Sequence, residues 1–126
     1  MFMSVLQVAL GGAIGASLRF LAGLGVLRAF GAGPFPVVVL GCNVLGSFLM
    51  GAFVIVAAQR GLTHLSPFVM TGILGGFTTF SAFSLETMTL VERGDIVYAL
   101  LYVALSVGLS VGGLALGLMA ARGVLL

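Results

Sequence analysis

Residues 67–91 read PFVMTGILGGFTTFSAFSLETMTLV, with Glu86 the single charged side chain among them. A run of this length and apolarity exceeds the roughly 20 residues an α-helix needs to cross a bilayer. Three further runs of the same kind, Phe2 to Leu27, Pro36 to Ala58 and Ile96 to Ala121, are set off by short polar breaks at 29–34, 59–64 and 92–95. A membrane β-strand would need only about 9–11 residues and would alternate polar with apolar positions, which these runs do not. The sequence therefore predicts an all-α membrane protein of four transmembrane helices, a single domain over 1–126, with almost nothing outside the bilayer.

Composition agrees. Of 126 residues, 61% are hydrophobic and 6% charged, against about 25% charged in a soluble domain. That leaves too little polar surface to cover a globule in water, which excludes a soluble enzyme or nucleic-acid binder. The net charge of +2 rests on five scattered arginines rather than a basic patch, so it carries no case for nucleic acid. Cys42 is the only cysteine, so no intrachain disulfide is possible. No Lys or Arg precedes the first apolar run, which reads as a mature span rather than a cleaved signal.

Four spans put both termini and the 59–64 loop on one side, with Arg60 and Arg122, and leave Arg28 and Arg93 on the other. Orientation follows the Lys/Arg bias of short loops, and here the bias is nil. The balance predicts that copies insert both ways and pair antiparallel, with a weak bias set by other factors as the plainer alternative. Glycines four apart, Gly11 with Gly15, Gly72 with Gly76, Gly108 with Gly112 and Gly113 with Gly117, let helix backbones approach closely where lipid gives no hydrophobic drive.

Function must then sit on the few polar groups inside the spans. The densest run is Gly75-Gly76-Phe77-Thr78-Thr79-Phe80-Ser81-Ala82-Phe83-Ser84. Paired glycines and β-branched threonines make poor helix, and the hydroxyls compete for backbone groups. The third helix is expected to break in mid-membrane near Gly75 to Thr79, with a hydroxyl-softened kink as the milder alternative. A break at that depth survives only when buried or facing a cavity, and its freed carbonyls suit a cation.

Beyond it, Phe80 and Phe83 share a helix face continued by Glu86 and Thr87. Ring edges carry positive potential and favour an anion, whereas ring faces favour a cation and plain packing is the commoner use of such a pair. On the fourth span Tyr98, Tyr102, Ser106 and Ser110 recur every four residues, and the second span adds Asn43 with Ser47 one turn on. A hydroxyl stripe of this kind is either a wet track or a set of interhelical bonds. Hydroxyl and amide donors with little fixed charge besides Arg19 and Glu86 suit a small anion that must bind and leave. His64 lies in a loop. No carboxylate pair, nucleophile with its base, or metal-ligand spacing is present, so enzymatic chemistry has no candidate residues.

These residues resemble the bacterial fluoride channels, the Fluc or CrcB family, over essentially the whole chain. The most specific piece is the run from Gly75 to Ser84, supported by Gly11-Gly12-Ala13-Ile14-Gly15-Ala16-Ser17-Leu18-Arg19 and Asn43-Val44-Leu45-Gly46-Ser47-Phe48. The resemblance implies an antiparallel dual-topology homodimer in the bacterial cytoplasmic (inner) membrane, with two fluoride pores lined by both subunits. It also implies a structural sodium ion (Na+) on the dimer axis, held by backbone carbonyls of Gly75 and Thr78. Phe80 and Phe83 would be the aromatic pair along the pore, Asn43 a donor near its vestibule, and Ser81, Ser84 and Glu86 part of the polar track beyond. Tyr102, Ser106 and Ser110 match the family's hydroxyl-bearing face, and Arg19 its first-span arginine. Two departures stand out: Ala82 replaces a frequent threonine, and Val38-Val39 a Gly-Thr pair, so two hydroxyls are absent.

The implied activity is passive export of fluoride that entered as the neutral weak acid and was trapped as the anion. A proton-coupled four-helix multidrug or guanidinium exporter is the alternative, but its design needs a first-span Glu where this chain has Arg19. A non-transporting assembly subunit would explain the glycines and leave the hydroxyls unexplained.

Overall fold

A computed structural model describes residues 1–125 of the chain; the expected domain's last residue, Leu126, lies outside the described residues. Helix α1 spans Phe2–Phe30 and α2 spans Val37–Arg60. After a single 3-10 turn at Thr63–Leu65, the third span begins as a π-helical segment, Pro67–Leu74, and continues as the short α3, Gly75–Phe77. Two extended residues follow, then α4 over Phe80–Glu92 and α5 over Ile96–Leu125. Four of these stretches, with Thr63–Glu92 counted as one, are long and apolar enough to cross a membrane. The architecture is that of an all-α, multi-pass membrane protein.

The first two spans run slightly past their expected ends, because Ala29, Phe30, Gln59 and Arg60 contain no helix breaker. α2 stops where Gly61 takes a left-handed conformation, φ 68° and ψ 33°, and returns its N–H to the Ala57 carbonyl. The α4–α5 turn is set by Gly94, φ 84°, a region that L side chains rarely enter. Eight residues of π-helix have no counterpart in the sequence expectation, since such turns are usually single bulges.

Two glycine seams hold the bundle. α1 packs along the π-helical segment and α3, with Gly11 against Gly72 and Gly15 against Ile73 and Phe77. α2 packs along α5, with Gly51 against Leu114 and Gly117 against Phe48. In both seams a Cβ would meet backbone atoms rather than movable side chains, so these positions need glycine. Gly108 and Gly112 have open space instead.

The buried centre is small: Val39, Phe83, Leu90, Ala99 and Tyr102, with Phe35, Leu40 and Ala82 packed against them. Val39 and Ala82 thus stand in the apolar wall around Tyr102. Most large apolar side chains, such as Leu10, Phe20, Leu100 and Leu116, point outward, as a lipid-facing surface requires.

Candidate functional site

The third span is interrupted at two residues. Thr78 (φ −92°, ψ 156°) and Thr79 (φ −153°, ψ 125°) are extended between α3 and α4, a conformation natural to β-branched residues. Thr78 closes the upstream helix, its N–H and Oγ1 both donating to the Leu74 carbonyl at 3.0 and 2.9 Å. Thr79 caps the downstream one, its Oγ1 accepting from the Ala82 N–H at 3.1 Å.

Two other spans grip this interruption. The Asn43 carboxamide on α2 lies edge-on to the Thr79 backbone: Oδ1 accepts the Thr79 N–H at 2.8 Å and Nδ2 donates to the Thr79 carbonyl at 3.1 Å. From α1, Arg19 Nε donates to the Gly76 carbonyl at 3.2 Å. Asn43 is therefore tied to backbone at both ends of its amide and keeps one N–H beyond those bonds.

Beside the interruption lies an open cleft of about 280 Å³, lined by Asn43 and Ser47 of α2, Thr78 and Thr79, Phe80 and Phe83 of α4, and Ser106, Val107, Ser110 and Val111 of α5. None of these residues is ionisable. Ser106 is 7% exposed and its Oγ has no hydrogen-bond partner, an uncommon state for a buried hydroxyl. The rings of Phe80 and Phe83 stand 5.3 Å apart at 51°. Phe83 is buried whereas Phe80 is 76% exposed, at the open side of the cleft.

Behind Phe83 sits Tyr102, fully buried, with ring centroids 5.2 Å apart. Its hydroxyl donates to Glu86 Oε2 at 3.2 Å, and Glu86 lines a second cleft of about 210 Å³ with Thr89, Arg93 and the turn residues Gly33, Pro34 and Pro36. Tyr102 thus stands between the two clefts.

The first cleft brings together Asn43, Thr78, Phe80, Phe83, Ser106 and Ser110 of the expected site. Ser81 and Ser84 do not line it: both are exposed, Ser81 Oγ within 3.2 Å of Thr79 Oγ1 and Ser84 Oγ donating to the Phe80 carbonyl at 3.0 Å. Arg19, Gly75, Glu86 and Tyr102 also lie outside its lining. Thr79 lines the cleft and caps α4, and the sequence reading assigns it no site role. Its signal is a threonine followed by an apolar helical stretch, the ordinary mark of an N-cap. Ser47, Val107 and Val111 join the lining through the packing of α2 on α5.

Chemically, the cleft offers neutral donors and aromatic rings, and no acid, base or nucleophile. Among the described residues no group of three or more His, Cys, Asp or Glu could hold a metal ion.

The family model described as CrcB-like protein, Camphor Resistance (CrcB), matches residues 6–118. A protein of Ruegeria sp. (strain TM1040) named fluoride-specific ion channel FluC is 71% identical over 125 residues, covering 99% of each chain. Proteins of the same name from Roseobacter denitrificans and Cereibacter sphaeroides (strain ATCC 17029 / ATH 2.4.9) are 70% and 58% identical, each covering 98% of both chains. With the family model spanning nearly the whole chain and relatives this similar from end to end, the chain belongs to the CrcB family.

Proposed function

We propose that this protein is a fluoride-selective channel that exports fluoride passively across the bacterial cytoplasmic membrane. The observation that carries the reading is the charge-free cleft with the partnerless Ser106 hydroxyl buried in its wall. Hydroxyl and amide donors replace part of a small anion's hydration without a fixed positive charge to hold it. The names of the relatives support fluoride as the ion. Export needs no energy source besides the gradient, since a negative-inside potential drives an anion outward by about 2.3 kcal/mol per 100 mV.

The working unit in this reading is an antiparallel dual-topology homodimer. The even arginine count supports insertion both ways, and the exposed Phe80 at the cleft's open side supports a wall supplied by a second copy. Thr78 and Thr79 fall at the centre of the Thr63–Glu92 span, which supports an interruption at mid-membrane. There, irregular backbone needs protein or ion partners.

The donor set fits a structural sodium ion. In a continuous helix the N–H of Thr79 would go to the Gly75 carbonyl and that of Ala82 to the Thr78 carbonyl; here they go to Asn43 Oδ1 and Thr79 Oγ1. Gly75 and Thr78 of each copy would hold the ion, which would supply positive charge at the subunit interface.

The test is ion release from liposomes containing the purified protein. Fluoride is expected to leave and chloride to stay; comparable chloride release would overturn the assignment. Thiol labelling of single cysteines at both termini in intact cells tests topology, and one orientation alone would remove the antiparallel dimer.

A further inference from the structure

We propose that Asn43 is a positioning residue for the cation-binding carbonyls, with the Thr79 hydroxyl as its partner. This rests on the sodium reading above and deepens it. What a sodium ion needs at Gly75 and Thr78 is carbonyl oxygens released from the helix, and each release has an identifiable agent. Asn43 Oδ1 takes the Thr79 N–H at 2.8 Å, removing the donor that helical geometry would send to Gly75. Thr79 Oγ1 takes the Ala82 N–H at 3.1 Å, removing the donor for Thr78. Of the two carbonyls between them, that of Gly76 receives Arg19 Nε at 3.2 Å, which ties the segment to α1 without using the Gly75 or Thr78 oxygens.

Asn43 Nδ2 also holds the Thr79 carbonyl at 3.1 Å. The double bond fixes Thr79 in its extended conformation, since a helical Thr79 would turn both its N–H and C=O away from the amide. Asn43 lines the anion cleft as well, so one carboxamide serves both sides of the interruption. Replacing it should weaken cation binding even if its free N–H also meets fluoride. Without the clamp, Thr79 N–H can return to Gly75 and the helix can close.

The experiment is thermal melting of the full-length protein in detergent, followed by circular dichroism, as sodium chloride replaces N-methyl-D-glucamine chloride at constant ionic strength. The wild-type midpoint is expected to rise with sodium. Asn43→Ala and Thr79→Val should each raise the sodium concentration for half of that rise by about tenfold or more, the loss expected from returning one hydrogen bond to the helix. Thr79→Ser keeps the hydroxyl and should titrate as the wild type does. A merely structural role would lower the midpoint and leave the sodium dependence unchanged, and that result overturns the proposal. If Asn43→Ala does not yield folded protein, Asn43→Ser, which shortens the side chain out of reach of the Thr79 backbone, takes its place, and Thr79→Val reads the hydroxyl's share with the Asn43 bonds left in place. A wild-type midpoint indifferent to sodium would remove the cation reading itself, a different failure from that of unchanged variants.

Discussion

Ser106→Ala separates a conduction role from a packing role by the sign of two effects. Ser106 is 7% exposed and its Oγ has no partner, so the folded chain carries a desolvated hydroxyl for which nothing compensates. Such a group costs about 1–3 kcal/mol, and deleting one oxygen leaves little cavity. The variant should therefore melt at the wild-type temperature or above it. Conduction should move the other way. If the hydroxyl rotates into the cleft to meet a passing anion, its loss removes a hydrogen bond to a charged group, worth about 1.5–3 kcal/mol. At about 1.4 kcal/mol per factor of ten, fluoride flux from liposomes should fall roughly 10- to 100-fold. Unchanged flux with a lowered melting temperature would refute the reasoning and make Ser106 a packing residue.

Phe83→Ile or Phe80→Ile should impair fluoride flux while gel filtration still reports the wild-type oligomer; undiminished flux would take the rings out of the path. Ala82→Thr adds a hydroxyl to the apolar wall around Tyr102 and is expected to raise flux, measured in the same liposomes. Gly76→Ala would put a Cβ 2.8 Å from the Gly12 carbonyl oxygen and 3.1 Å from the Ala16 nitrogen; α1 must shift, at a cost of about 1–3 kcal/mol, and the melting temperature should drop. Gly25→Ala meets nothing within 4 Å, so its melting temperature should hold or rise, as an alanine suits a helix better.

Apolarity made the four spans legible, because long runs such as Ile96 to Ala121 have one solution in lipid. An interruption near Gly75 to Thr79 was readable because paired glycines, β-branching and competing hydroxyls are local effects that residue types carry with them; that the extended residues are Thr78 and Thr79 was not. The π-helical turns of Pro67–Leu74 were not, since nothing in PFVMTGIL distinguishes a wider ladder from an α-helical one. Glycine spacing marked Gly11, Gly15, Gly72 and Gly76 as contact points without pairing Gly11 to Gly72, a matter of tertiary register. The same limit hid the Asn43–Thr79 clamp, which joins residues 36 positions apart. An asparagine in a span announces that it needs partners; which backbone group supplies them depends on how α2 meets the interrupted helix.

In the proposed reading, the absence of charge from the cleft answers the requirement that an ion leave as readily as it enters. A guanidinium 4 Å from an anion would attract it by about 4 kcal/mol at an effective dielectric constant near 20. That is roughly a thousandfold longer residence, on the usual conversion of about 1.4 kcal/mol per factor of ten. Arg19 is close enough to the interruption to impose such a trap, but its Nε is bonded to the Gly76 carbonyl and its side chain is outside the cleft lining. Glu86, which would repel an anion by a similar amount, is likewise kept in the second cleft behind Tyr102. What remains in the first cleft is a series of neutral donors. Each is worth about 1.5–3 kcal/mol to an anion, and an ion can exchange one for the next in steps smaller than a single charged trap would impose. Introducing a charge should therefore slow conduction even where it tightens binding: Ser110→Lys, at the cleft's α5 wall, is expected to cut fluoride flux, and faster flux in that variant would show that entry rather than release limits the channel.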